Sequence, residues 1–169
     1  MKAIVTGASG FVGRHLIEHL ETCGDEVIGL DRHAGEGGAS RAVDLLDGDA
    51  VIDVIRSEAP DAIYHLGGWS DVGASWNHPR EAYRVNTEGT LNVLLAAQGL
   101  IARVLVVSSA DVYGKVSLSE LPLTEDSALR PVTPYAASKI GADFLALQAW
   151  LGRRVEALRR HRPGQRPAL

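Results

Sequence analysis

The chain has 169 residues, 46% hydrophobic and 22% charged, with a formal charge of −4 and one cysteine. That composition excludes wholesale disorder and an intrachain disulfide framework, and no apolar run reaches the roughly 18 to 20 residues that span a bilayer. Residues 1–150 carry 20 acidic against 11 basic side chains, whereas residues 151–169 carry six arginines against Glu156. The acidic body argues against nucleic acid as a partner, and only the arginine tail offers charge to neutralise phosphates.

Ala3–Val5 is a short apolar run and predicts a first strand. Residues 11–20 follow with helical spacing, Val12, Leu16 and Leu20 forming one stripe beside Gly13 and Ile17. Val27–Leu30 reads as a buried strand, and a glycine-rich loop with Gly35, Gly37 and Gly38 comes next. Asp49–Glu58 is helical and Ala62–Leu66 is again a strand. Pro79–Gln98 predicts one long helix ended by Gly99. The β-branched run Val104–Val107 suits a strand buried on both faces. Pro131 and Pro134 keep the chain extended before a helix over Tyr135–Leu151, and Val155–Leu158 is one more candidate strand. Strands alternating with helices predict an α/β fold, a doubly wound parallel sheet with helices on both faces. The N-terminal segment lacks a signal-peptide pattern, so the expected compartment is the cytoplasm.

Between the first strand and first helix stands Thr6-Gly7-Ala8-Ser9-Gly10-Phe11-Val12-Gly13, spaced Gly-x-x-Gly-x-x-Gly. Gly7 permits a tight turn, Gly10 lets backbone approach a pyrophosphate, and Gly13 lets the helix pack close to the sheet. Free N–H groups and the helix dipole favour an anion there. Asp31 follows the second strand, where a carboxylate accepts hydrogen bonds from a ribose diol and repels a 2′-phosphate. This favours NAD, with NADP as the alternative because the Arg32 guanidinium is one residue away. A surface or capping role for Asp31 is the plainer alternative.

Tyr135 and Lys139 lie one helical turn apart on one face. The ammonium stabilises the phenolate, letting the phenol exchange a proton with a substrate hydroxyl or carbonyl. Ser109 lies just beyond the apolar strand 104–107, at the end of an open α/β sheet where ligands bind.

These motifs, with Asp44-Leu45, His65-Leu66-Gly67-Gly68, Asn86, Gly89-Thr90, Ser108-Ser109-Ala110-Asp111-Val112-Tyr113-Gly114 and Pro134-Tyr135-Ala136-Ala137-Ser138-Lys139, resemble the extended short-chain dehydrogenase/reductase family of nucleotide-sugar epimerases, dehydratases and reductases. The resemblance runs to about Gly152 and implies a Rossmann-like domain over 1–152, followed by a basic tail over 153–169. It implies catalytic Ser109, Tyr135 and Lys139. The implied cofactor set is Gly7, Ser9, Gly10, Phe11, Val12, Gly13, Asp31, Arg32, Asp44, Leu45, Leu66, Gly67, Gly68, Asn86, Ser108, Tyr135 and Lys139. Asp44 and Leu45 would border the adenine, and Asn86 would steady the active-site helix.

Leu121–Asp126 followed by Leu129-Arg130-Pro131 most resembles the GDP-mannose branch, whose reactions are 4,6-dehydration and 4-keto reduction. Asp111 occupies the place of the extra carboxylate that family dehydratases carry, usually Glu, with a helix- or turn-capping role as the plainer alternative. The implied substrate is a nucleotide-sugar, GDP-linked in that branch, and a 4-epimerase or a dinucleotide-binding module without turnover are the alternatives. Family members add a C-terminal lobe that clamps the sugar. Residues 159–167 resemble a shortened start of it, so residues 1–169 alone are expected to bind cofactor with little turnover and to self-associate. No metal is expected: His15 and His19 share a helix face but no third ligand follows. His65, on a buried strand, reads as a satisfied core histidine, and Trp69 and Trp76 as either core or substrate entrance.

Overall fold

The computed structural model describes residues 1–33, 39–152 and 155–159. Its strands are β1 (Lys2–Thr6), β2 (Glu26–Asp31), β3 (Ala39–Ala42), β4 (Ala62–His65), β5 (Arg103–Val106) and β6 (Glu156–Arg159). All pairings are parallel and the sheet order is β3-β2-β1-β4-β5-β6. The chain winds outward from β1 in both directions, so a crevice opens between the carboxyl ends of β1 and β4, where ligands bind in such sheets.

The helices are α1 (Phe11–Thr22), α2 (Gly48–Glu58), α3 (Pro79–Tyr83), α4 (Gly89–Ala97) and α5 (Pro134–Leu151). Strand alternation divides the core in two. Ile4, Ile28, Leu30 and Ile63 pack with Val51 and Ile55 of α2, Val93 and Leu94 of α4 and Ala146 of α5. Ala3, Val5 and Val27 point the other way, onto Leu16, Ile17 and Leu20 of α1. The expected doubly wound arrangement is therefore present. Ile4, Ile63 and Val104 are fully buried, each contributing about 1.5–3 kcal/mol. No described helix is long and apolar enough to cross a membrane.

Three features differ from the sequence expectation. Ala39–Ala42 forms an edge strand on β2, although only one of its residues is even partly shielded. The helix expected over Pro79–Gln98 is interrupted by a π-helical turn at Arg84–Glu88, which carries the buried Asn86. Val12 is 59% exposed rather than part of the α1 core stripe. The glycine-rich loop at 35–38 and the tail from Arg160 onward lie outside the described residues, as does the expected domain–tail boundary at residue 153.

Candidate active site

The β1–α1 loop is built by close backbone packing. Gly7 has φ +70°, and a Cβ there would lie 2.8 Å from Gly67 N. A Cβ on Gly13 would lie 2.2 Å from the Gly7 carbonyl oxygen, so α1 can approach only because that atom is missing. Gly10 donates its N–H to Gly7 O at 3.0 Å, is exposed, and would present a Cβ outward with only Gly7 O nearby, at 3.1 Å.

Asp47 caps α2 and Thr133 caps α5, but α1 has no side-chain cap and no acidic residue in its first turn. Its leading N–H groups are thus left for an anion. Phe11 and Val12 stand exposed beside them.

Asp31 closes this loop from β2: its Oδ2 accepts the Ser9 N–H at 2.9 Å and its Oδ1 the Arg32 N–H at 2.7 Å. Asp44 accepts the Leu46 N–H through Oδ1, while Asn92 of α4 donates to the Leu45 carbonyl at 2.8 Å. Leu45 lies so close to Gly67 that a Cβ there would meet Leu45 Cδ1 at 2.8 Å. An uncapped helix start, a glycine cradle and a carboxylate held at its rim fit a dinucleotide.

Across the crevice, Thr133 and Pro134 start α5 at the place where Tyr135 must stand. The Tyr135 N–H donates to the fully buried Ser75 Oγ at 3.2 Å. Lys139, one turn on, is largely shielded, and burial pushes its ammonium below the ordinary lysine value while Asp143 opposes that shift. Ser109 follows β5 and its Oγ accepts the Asp111 N–H at 3.2 Å, capping the 3-10 turn Ala110–Tyr113. The hydroxyl proton of Ser109 is thereby directed elsewhere, and Asp111 is exposed. Ser108 Oγ is buried and has no hydrogen-bond partner among the described residues.

Asn86 joins the two sides. Its Oδ1 accepts the Trp69 N–H at 2.8 Å, and its Nδ2 donates to Trp69 O at 3.1 Å and to Ser138 Oγ at 2.8 Å. Ser138 in turn donates to Tyr135 O. Trp69 is tied by its indole N–H to Asp71 O and lies 5.9 Å from the His78 ring, whereas Trp76 is 61% exposed. His65 is satisfied on both ring nitrogens, by Thr6 and Thr90, as expected of a core histidine. Ser75, Ser138, Thr6 and Thr90 carry no local sequence signal for these roles, since most of their partners are 25 to 61 residues away.

A glycine loop on β1, a carboxylate on β2 and a Tyr-x-x-x-Lys helix beside β5 define a nucleotide-binding α/β domain of the doubly wound type. The chain belongs to the NAD dependent epimerase/dehydratase family, whose model matches residues 3–153. It is 38% identical over 149 residues to the GDP-6-deoxy-D-mannose reductase of Pseudomonas aeruginosa, covering 87% of this chain and 46% of that enzyme. It is 34% identical to the UDP-glucose 4-epimerase of Streptomyces lividans (85% and 46% covered) and 32% identical to the dTDP-glucose 4,6-dehydratase of Haemophilus influenzae (89% and 51%). Among solved structures, it resembles the Thermus thermophilus UDP-glucose 4-epimerase complex with NAD, with TM-score 0.87, 28% identity and 97% and 58% of the two chains covered. The Brucella ovis UDP-glucose 4-epimerase in complex with NAD gives 0.85, 27%, and 94% and 50%. The chain spans about half the length of the curated relatives it matches. NAD, the cofactor expected from Asp31, is the one that the family description and both complexes carry.

Proposed function

We propose that residues 1–152 form the NAD-binding and acid–base half of a nucleotide-sugar-modifying enzyme. Its type is that of a GDP-mannose 4,6-dehydratase or GDP-4-keto-6-deoxymannose reductase. The observation that carries this is the placement of Asp31 on the glycine loop and of Tyr135, Lys139 and Ser109 on elements flanking the same crevice. The 38% identity to a GDP-6-deoxy-D-mannose reductase supports the GDP branch.

Bound NAD would supply hydride transfer at the sugar C4. Gly7, Ser9, Gly10 and the first turn of α1 would hold its pyrophosphate, Asp31 its ribose, and Asp44, Leu45 and the 66–68 backbone its adenine side. Ser108 Oγ, buried without a hydrogen-bond partner among the described residues, would be available to a bound group. Tyr135 moves the proton at the C4 oxygen, with the Lys139 ammonium favouring the phenolate. Ser109, its Oγ already accepting the Asp111 N–H, would donate a hydrogen bond to that same oxygen and hold it in place. The exposed Asp111 carboxylate would take the C5 proton and return it to the departing C6 oxygen in a dehydration. The outer sides of α4 and α5 leave Leu91, Leu95 and Phe144 exposed, which supports a homo-oligomer. A cytoplasmic location is part of this proposal.

The identities of 34% and 32% to a UDP-glucose 4-epimerase and a dTDP-glucose 4,6-dehydratase keep those activities as the second reading. Single-turnover mixtures of the chain with NAD and GDP-mannose, or with NADH and the 4-keto sugar, resolved by mass, distinguish them. Loss of one water identifies a dehydratase and gain of two hydrogens a reductase, each abolished by Tyr135→Phe. Product from UDP-glucose alone, as its C4 epimer, would contradict the GDP branch.

A further inference from the structure

Thr6 and His65 are register partners at the last paired position of β1 and β4, beneath the crevice. Both are buried, and Thr6 Oγ1 lies 2.8 Å from His65 Nδ1. On the other side of the ring, His65 Nε2 lies 2.9 Å from Thr90 Oγ1 on α4. Two further bonds orient every proton in this chain. Thr90 Oγ1 is 2.6 Å from Asn86 O, and a carbonyl cannot donate, so the Thr90 proton lies there. Thr90 must therefore accept from His65 Nε2–H. That leaves Nδ1 bare, accepting from the Thr6 hydroxyl, while Thr6 Oγ1 accepts the Gly67 N–H at 2.9 Å. No proton or lone pair that the sequence Gly67–Thr6–His65–Thr90–Asn86 requires is left over. An imidazolium would present a second N–H to Thr6 and strand the Thr6 proton in the core.

We propose that His65, as a neutral imidazole with its proton on Nε2, is a positioning residue that holds the Gly67 backbone and Asn86 in one register. Gly67 packs against Gly7 of the phosphate loop, and Asn86 holds Trp69 and, through Ser138, the first turn of the Tyr135 helix. The two walls of the crevice are thus set by one buried ring. Full burial, with the Lys139 charge adding to it, holds the His65 pKa down at about 3, so the ring stays in this form at neutral pH.

The test has two arms on the full chain. In the first, nitrogen-15 NMR of the protein without cofactor reads the His65 tautomer and the Gly67 and Trp69 amides. The expected result is an Nε2–H ring that does not titrate between pH 7 and pH 5. Thr6→Val is expected to move the Trp69 amide, and Thr90→Val the Gly67 amide, across the ring, while Thr6→Ser and Thr90→Ser restore both signals. An Nδ1–H tautomer, titration in that range, or amides that respond only on the mutated side would overturn the proposal. The second arm rests on the function proposed above: the NAD Kd rises at least tenfold in both valine variants and stays within threefold of wild type in the serine variants. Valine variants that fold and bind NAD as wild type does would also overturn it. Failure of wild type itself to bind NAD would sink the proposed function and leave the first arm to decide on His65.

Discussion

The backbone N–H of Ser9 donates to Oδ2 of Asp31 across 2.9 Å, so the carboxylate at the end of β2 is tied to the glycine loop that leaves β1. A ribose diol bound at this rim would find an acceptor whose position the loop already fixes. Charge-assisted hydrogen bonds contribute about 1.5–3 kcal/mol, roughly 10- to 100-fold in affinity. Asp31→Ala is expected to weaken NAD by about that factor and NADP by less, because the repulsion of the 2′-phosphate disappears with the carboxylate. Parallel titrations with the two cofactors check this, and an unchanged preference would contradict it.

Gly13→Ala tests the packing beneath the loop. The new Cβ would meet the Gly7 carbonyl oxygen at 2.2 Å and Ala8 O at 2.9 Å, both backbone atoms that a side-chain rotation cannot relieve. Overpacking of this kind costs about 1–3 kcal/mol, which lowers Tm by about 2–4 °C per kcal/mol in a chain of this size. Thermal unfolding measures it, and an unchanged Tm would mean that α1 shifts freely on the sheet.

Much of this architecture is legible in the residues themselves. Ile4 and Ile63 sit in apolar runs, and the Gly7–Gly13 spacing marks the strand–helix turn that the structure shows. Where local signals were absent, expectation failed. Residues 39–42 (Ala-Ser-Arg-Ala) carry neither alternation nor an apolar run, since an edge strand with little burial needs neither. The π turn at 84–88 is invisible to a 3.6-residue period; it is set by Asn86, whose partners Trp69 and Ser138 lie 17 and 52 residues away. Of the candidate site, the loop, Asp31, Tyr135 and Lys139 were readable as motifs, whereas the contacts of Ser75 with Tyr135 and of Thr90 with His65 are tertiary and carry no local signal.

Asn86→Ala is expected to strip the Trp69 N–H, the Trp69 carbonyl and Ser138 Oγ of a partner at once. Buried polar groups left unsatisfied cost about 1–3 kcal/mol each. Partial access of water to Trp69 lowers the total to about 2–4 kcal/mol. Urea unfolding with an unchanged m-value reports it, and a loss below about 1 kcal/mol would contradict so central a role.

Lys139 gives a pH dependence of definite sign. Burial lowers its pKa in the folded chain below 10.5, so between the lowered value and 10.5 the unfolded chain holds more protons on this group. Its contribution to stability therefore rises with pH through that window and is least favourable below it. Lys139→Met is expected to have a higher Tm than wild type at pH 7, with the gap closing as pH climbs toward 10.5. It is also expected to abolish any single-turnover product that the wild-type chain forms. A gap that widens with pH would contradict the burial of this ammonium.

The most direct test of the central claim is calorimetric titration of the chain with NAD, wild type against Gly10→Val. Gly10 is exposed and, among the described residues, its Cβ would meet only Gly7 O, at 3.1 Å, a contact that a shift of a few tenths of an ångström relieves, so the variant is expected to fold while placing a side chain in the pyrophosphate path. Saturable binding by wild type with Kd below about 1 mM, worth roughly 4 kcal/mol, and its loss in a folded Gly10→Val chain are the predicted results. No binding by wild type in that range, or equal binding by both proteins, would contradict the assignment of this crevice to NAD.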